Sequence, residues 1–118
     1  MLEAQRRADK ARDELSATEV RLSTEVAQNE ERLKALVVEA QTLQSEIMPG
    51  ARSAYDAASK GFELGKFSFL EVLDAQRTFF QARAQYLRSL SDAHRTAAEL
   101  ERVLGSIDSM SSAVPSRP

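Results

Sequence analysis

The sequence contains no cysteine, and it has only one histidine, three prolines and four glycines among its 118 residues. Without cysteine the chain can form neither a disulfide nor a thiolate metal site, although this absence is compatible with an oxidising compartment. His94 has no neighbouring ligand types, so we expect it to be an ordinary helix residue rather than a metal ligand. A chain with one histidine, no cysteine and four scattered glycines cannot assemble a nucleophile and base pair, a phosphate-binding loop or a metal cluster. We therefore expect no enzymatic activity, no metal and no cofactor.

An excess of one charge sign is also missing. Sixteen basic and 18 acidic residues leave a formal net charge of −2, and the two signs are interspersed along the chain. This mixture argues against a nucleic-acid-binding face and against a cationic helix lying on a membrane. No stretch approaches the roughly 20 apolar residues of a transmembrane helix, and the first residues lack the apolar core of a signal peptide. We expect targeting information to lie elsewhere, which would make the chain a fragment of a longer protein.

What the sequence does contain is typical of an all-α protein built from long helices. Hydrophobic residues make up 42% and charged residues 29% of the chain, whereas aromatic residues make up only 6%. Residues 2–47 include neither glycine nor proline, and apolar side chains recur there at steps of three and four, which predicts one buried helical face. The predicted face comprises Ala4, Ala8, Ala11, Leu15, Thr18, Leu22, Val26, Asn29, Leu33, Leu36, Ala40, Leu43 and Ile47.

The dipeptide Pro49-Gly50 interrupts this pattern. Proline removes a helix donor and disfavours helix at the residue before it, and glycine adds backbone freedom. The apolar spacing nevertheless resumes in phase after the dipeptide, which favours a first limb that is kinked near Pro49 and continues. The resumed positions are Ala51, Ala54, Ala58 and Phe62. The alternative is a reversal at Pro49-Gly50, which would give a compact three-helix arrangement.

A second helix begins after a short turn. Ser68 and Glu71 have the spacing of a capping box, in which each side chain accepts a hydrogen bond from the other residue's backbone amide. Phe67 and Val72 stand at the positions of the accompanying hydrophobic staple. Gly65 is placed to end the first limb in the left-handed conformation. Because a short turn brings consecutive helices side by side, the sequence predicts a long antiparallel α-helical hairpin.

The second limb covers residues 69–104, which again lack glycine and proline, and we expect Gly105 to end it. We assign residues 1–105 to the hairpin and residues 106–118 to a disordered tail, because the tail is rich in serine and proline. Two adjacent apolar faces follow this limb, so it should contact more than one neighbour. The first comprises Phe69, Val72, Phe79, Tyr86, Leu90, Ala93, Ala97, Leu100 and Leu104. The second comprises Leu70, Leu73, Phe80, Ala84, Leu87 and Ala98.

The two limbs differ in length, which bears on assembly. If the first limb is continuous, residues before about 28 have no partner within the chain, because at about 1.5 Å per residue the second limb is too short to reach them. We therefore expect the isolated chain to self-associate. An antiparallel homodimer forming a four-helix bundle is the simplest arrangement that covers both apolar faces.

Residues 55–105 resemble the last helical hairpin of the outer-membrane efflux protein family, the TolC-like channels. The resemblance rests on an aromatic residue, a glycine and a short turn, followed by LEVLDAQR at residues 70–77 and a leucine pair before Gly105. The region upstream is similar to the long periplasmic helix of the same family. Pro49 and the motif after the turn are most similar to the heavy-metal branch, the outer-membrane partners of cobalt, zinc and cadmium exporters.

The resemblance implies a transport role. The chain would be the periplasmic segment of an outer-membrane channel in a Gram-negative bacterium, homotrimeric in its full-length parent and anchored to the membrane outside this chain. Its partners would be a periplasmic adaptor (membrane fusion) protein and an inner-membrane pump. The implied adaptor-docking tip is Leu64, Gly65, Lys66, Phe67, Ser68, Phe69 and Leu70, and the implied channel entrance and gate comprises Phe62, Glu71 and Asp74. Phe67 replaces an arginine expected there, so a salt-bridged latch is not implied.

Simpler interpretations of the same residues remain open. The capping box accounts for Glu71, and the helix dipole favours Asp74 in the first turns of a helix whether or not either lines a channel. The whole chain is also compatible with a stand-alone coiled-coil scaffold or adaptor that has no transport role. The scaffold hypothesis predicts that the turn sequence is replaceable, whereas the channel hypothesis predicts that charge changes at Glu71 and Asp74 alter export without unfolding the hairpin.

Overall fold

The computed structural model describes residues 2–112, with side chains described for residues 2–110. Three α-helices occupy Leu2–Thr42 (α1), Met48–Glu63 (α2) and Phe69–Ser112 (α3), and a π-helical turn, Leu43–Ile47, joins α1 to α2. Within the described residues only 64–68 are not helical. The prediction of an all-α helical hairpin is therefore confirmed. No described helix combines the length and the apolarity needed to cross a lipid bilayer.

The first limb continues through Pro49, so a reversal at Pro49-Gly50 is ruled out. Ile47 and Met48 both have right-handed helical dihedral angles, at φ −73°, ψ −49° and φ −64°, ψ −46°. The Met48 amide donates to the carbonyl of Leu43, five residues earlier, as in a π-helix. Pro49 then falls in the first turn of α2, where a missing N–H is tolerated. A π-turn and a proline are both recognised causes of helix kinks, and the kink itself stays a prediction.

The π-turn changes which residues face inward. Its extra residue moves the inward position from Ile47, which is 48% exposed, to Met48, which is half-buried. The later inward positions are Ala51, Tyr55, Ala58 and Gly61, all buried or half-buried. Assigning Ile47, Ala54 and Phe62 to the buried face was therefore wrong, because the sequence pattern assumed uniform α-helical turns across the proline.

Helix α3 buries one strict heptad face, with steps that alternate between three and four residues. Its buried and half-buried members are Val72, Ala75, Phe79, Ala82, Tyr86, Ser89, Ala93, Thr96, Leu100 and Val103. Half of them were not predicted, and these are the small or polar Ala75, Ala82, Ser89 and Thr96, together with Val103. Phe69 and Leu104, which were predicted to be inward, are 57% and 42% exposed.

The described chain divides into two units, each formed from both limbs. Lys34–His94 contains the interhelical turn, and its buried residues include Ala40, Leu43 and Val72. In this unit the Gln85 side chain links the limbs by donating to Glu39 Oε1 at 2.7 Å, and Arg88 donates to Gln85 at 2.8 Å. The hydroxyl of Ser89 is buried there, with no hydrogen-bond partner among the described residues.

The other unit combines residues 2–33 with residues 95–112. Residues 2–17 are exposed throughout, and Thr18 is the first half-buried position. The unpartnered stretch is therefore shorter than predicted, because α3 does not end at Gly105 but continues to Ser112. An alanine-sized side chain would meet nothing at Gly105, so this glycine is an ordinary helical position. The rest of the predicted tail, from residue 113, lies outside the described residues.

Candidate docking site at the interhelical turn

The turn between α2 and α3 begins with a glycine-closed helix end. Gly65 has φ +70° and is the one described glycine with a positive φ. Its amide donates to the Phe62 carbonyl at 3.0 Å, and the Lys66 amide donates to the Gly61 carbonyl at 2.7 Å. This pair of bonds is a Schellman motif, which satisfies carbonyl groups that the end of α2 leaves without helical partners. The left-handed residue predicted at Gly65 is confirmed.

Helix α3 starts with the predicted capping box. The Ser68 amide donates to Glu71 Oε2 at 2.9 Å, and the Glu71 amide donates to Ser68 Oγ at 3.3 Å. Two amides at the helix start are thereby satisfied by side chains three residues apart. The interhelical turn is consequently closed by hydrogen bonds at both ends.

Phe67 makes a contact with Gly61 that was not predicted from the sequence. Its ring lies over the backbone of Gly61, so close that a Cβ atom at Gly61 would lie 2.6 Å from Phe67 Cε2 and 3.0 Å from Cγ. The Phe67 amide also donates to the Gly61 carbonyl, at 3.2 Å. Val72 is buried, as a staple requires, but the staple contact itself stays a prediction.

Sequence reasoning missed Gly61. The available signal was a glycine inside a helical stretch, where it costs about 1 kcal/mol relative to alanine, followed six residues later by a phenylalanine beyond the turn. A glycine that lowers helix stability in this way often has a packing reason, because the space left by its missing side chain can be filled by another group.

The apolar side chains at the turn are exposed. Those that are 45–66% exposed are Phe62, Leu64, Phe67, Phe69 and Leu70. Phe62 also contacts Phe69, with ring centroids 5.5 Å apart and ring planes tilted by 55°. Glu63 and Lys66 are the charged residues between 62 and 70, and their charges cancel. The predicted tip residues therefore form one apolar, nearly neutral surface on a hydrogen-bonded backbone, which we call the apolar tip (residues 62–70).

The two predicted entrance carboxylates lie just beyond the apolar tip, on the first turns of α3. Glu71 and Asp74 are both exposed, and the Asp74 carbonyl accepts a hydrogen bond from Thr78 Oγ1 at 3.0 Å. One oxygen of Glu71 is used by the capping box, and the residue as a whole is still exposed. Among the described residues, no group of three or more acidic or histidine side chains could hold a metal ion.

A second apolar surface follows the outer side of α3. Leu73, Phe80 and Leu87 recur every seven residues and are 39%, 52% and 55% exposed. This spacing places them on one side of the helix. This side is exposed, whereas the heptad face is buried. They confirm that the second limb carries two apolar faces, one of which is covered within the chain and one of which is not.

Comparisons with known proteins bear on this site. The family described as outer membrane efflux protein matches residues 2–106, which include the whole turn and both of its caps. The cobalt-zinc-cadmium resistance protein CzcC of Cupriavidus metallidurans is 45% identical over 100 residues. That alignment covers 85% of this chain and 24% of CzcC, so the chain spans about a quarter of this relative. No solved structure gives a significant match.

Proposed function

The chain belongs to the outer membrane efflux protein family, and from this membership we propose that it forms the periplasmic helical hairpin of an outer-membrane efflux channel. The resemblance predicted from the turn and the LEVLDAQR motif is confirmed by the family match, and its heavy-metal branch by the identity to CzcC. In this proposal the hairpin carries out no chemistry. It contributes part of the wall of a conduit through which a pump expels its substrate.

The observation that supports docking is the exposure of the apolar tip. Five large apolar side chains are exposed within or directly beside residues 64–68, the one non-helical segment of the described chain. The backbone beneath them is closed by the Schellman motif and the capping box, so little conformational entropy remains to be lost on binding. Exposed apolar groups on a preorganised turn are typical of an interface. We assign residues 64–70 to contact with the periplasmic adaptor protein.

We infer the class of substrate exported by the parent protein from its relative CzcC. CzcC is named for resistance to cobalt, zinc and cadmium. We propose that the parent of this chain exports divalent cations of that class. Exposed carboxylates at Glu71 and Asp74 would attract such ions toward the channel entrance, because opposite charges raise the local ion concentration. Phe62, at the end of α2, would narrow the same entrance.

The uncovered face of α3 supports assembly. Leu73, Phe80 and Leu87 have the spacing of a helix-packing seam and are exposed in the single chain. Burial of each such side chain is worth about 1.5–3 kcal/mol. In the full-length parent we propose that this face packs against neighbouring helices of a homotrimer, and in the isolated chain against a second copy.

Binding of the chain to the periplasmic adaptor of its own efflux system tests the docking proposal. We expect binding that weakens when Leu64 and Leu70 are both replaced by serine, and that changes little with salt because the apolar tip carries no net charge. Val37→Ser with Val38→Ser is the matched control, since these side chains are also exposed but lie far along α1. Equal binding by both double variants would contradict the proposal.

The entrance carboxylates need a separate test that preserves the fold. Glu71→Gln keeps the capping box, because glutamine can take the place of glutamate there, and Asp74→Asn removes the second charge. In the full-length channel we expect this pair to lower the preference for cations over anions in bilayer conductance. Asp9→Asn with Asp13→Asn, on the exposed start of α1, should leave the preference unchanged.

A further inference from the structure

Gly61 lies in the last turn of α2 and is buried, and it is covered by the ring of Phe67. No side chain could occupy this position without displacing the ring, because a Cβ atom would overlap Cδ2 and Cε2 of Phe67. By contrast, a Cβ atom added to Gly50 or Gly105, which are also helical, would have nothing within 4 Å. Among the described helical glycines, Gly61 is therefore the one at which another residue, Phe67, occupies the space that a side chain would fill.

The backbone of Gly61 also organises the turn. Its carbonyl accepts two hydrogen bonds, from the Lys66 amide at 2.7 Å and from the Phe67 amide at 3.2 Å. The same residue thus holds Phe67 by its main chain and by its ring. Phe67 is still 47% exposed, so one part of the ring rests on Gly61 while another part faces outward.

We propose that Gly61 is a positioning residue for partner docking, acting through Phe67. The bare Cα of Gly61 lets the ring lie against α2, which holds Phe67 as a fixed, half-exposed part of the apolar tip. A ring already held in place loses less freedom when a partner covers it. This inference rests on the proposed docking function, and it assigns within that surface the residue that sets its shape.

The contact can be measured without any partner. A phenyl ring stacked on a glycine shifts the Hα resonances of that glycine in the NMR spectrum. In the full 118-residue chain we expect ring-shifted Gly61 Hα resonances that return to ordinary positions in Phe67→Leu. Unshifted Gly61 resonances in the unsubstituted chain would overturn the inference, whatever the docking results.

The positioning role is tested by docking to the periplasmic adaptor in a double-mutant cycle. We expect Gly61→Ala to weaken binding about tenfold, in the range of a single interface hot spot. Gly61→Ala should add no further loss when Phe67 is already leucine, because the glycine acts only through the ring. Gly50→Ala is the matched control and should bind as the unsubstituted chain does. Helix content by circular dichroism should be equal in all of these variants.

Three outcomes distinguish the possible failures. If the unsubstituted chain does not bind the adaptor, the proposed function fails and the positioning role fails with it. If the unsubstituted chain and Gly61→Ala bind equally well, the positioning role alone is overturned. If Gly61→Ala weakens binding to the same extent with and without Phe67, the glycine acts by another route and the inference is wrong.

Discussion

The rings of Phe62 and Phe69 meet with their centroids 5.5 Å apart, so the last turn of α2 and the first turn of α3 contact each other through aromatic side chains. Tilted aromatic pairs at this separation have a favourable geometry. Both rings remain about half exposed, at 45% and 57%. The pair therefore links the two limbs at the turn while leaving apolar surface outside.

This pair should contribute a measurable coupling energy. Replacing Phe62 and Phe69 by leucine, singly and together, should give a coupling of about 0.5–1.5 kcal/mol in the free energy of unfolding. Chemical denaturation of the four proteins measures it. Phe62 with Leu87, which is also exposed but far along α3, serves as the control cycle and should show coupling near zero. Equal coupling in both cycles would argue against a specific ring contact.

The left-handed conformation of Gly65 predicts opposite effects for two glycine substitutions. Gly65→Ala should destabilise the chain by about 1–2 kcal/mol, because a Cβ atom is strained at φ +70°. Gly105→Ala should stabilise it by about 0.5–1 kcal/mol, because that glycine is helical and has open space beside it. Thermal unfolding of both variants gives the comparison. A stabilising Gly65→Ala would contradict the Schellman turn.

The capping box predicts a difference between two serines. Ser68→Ala should cost about 1 kcal/mol of stability, because the amide of Glu71 loses its side-chain acceptor. Ser109→Ala should have little effect or a slightly stabilising one, since Ser109 Oγ bonds only to the Gly105 carbonyl inside a helix. Urea denaturation compares the two, and similar losses for both would show that the cap is unimportant.

A surface ion pair gives a pH-dependent signal in the unit formed by residues 2–33 and 95–112. Hydrogen bonds from Arg102 lower the pKa of Glu99, and the same bonds raise the pKa of Arg102. A lowered carboxyl pKa contributes stability above the unfolded-state pKa, and this contribution is lost as the pH falls through the folded-state pKa. The effect on stability should be small because both side chains are largely exposed.

An NMR titration of the Glu99 carboxyl carbon can detect this pair directly. We expect Arg102→Gln to raise the pKa of Glu99, because its hydrogen-bonding cation is removed. In the unsubstituted chain, high salt should also raise the pKa of Glu99, since it screens the attraction between the Glu99 carboxylate and the Arg102 cation. Arg83→Gln on the same helix is the control and should leave the Glu99 pKa unchanged. An unchanged pKa in Arg102→Gln would mean that the pair does not form in solution.

Several features followed from local sequence rules. The cap at Ser68 and the left-handed Gly65 each depend on residues within a few positions of one another, and the structure confirms both. Local hydrogen-bonding chemistry is nearly independent of what the rest of the chain does, which is why such features can be read directly from residue types.

Other features of the fold depend on contacts between residues that the spacing of residue types does not predict. The inward face of α3 uses Ser89 and Thr96, which hydropathy patterns treat as polar and therefore do not assign to a buried face. The extra residue of the π-turn moved the inward position from Ile47 to Met48, although the pattern on either side was in phase. The contact of Phe67 with Gly61 crosses the turn, and the glycine inside a helical stretch was its one sequence signal.

The central claim is that the apolar tip is the end at which an efflux channel meets its periplasmic adaptor. Because these 118 residues contain no cysteine, a cysteine introduced at a chosen position is the one thiol among them and can be used for crosslinking. Lys66→Cys lies in the tip, where the turn uses the backbone amide of residue 66, and Lys10→Cys lies on the exposed start of α1. The measurement is crosslinking of each variant of the full-length protein to the adaptor, in cells that also produce the pump. We predict an adaptor adduct at position 66 and none at position 10, and an adduct at position 10 without one at position 66 would contradict the account.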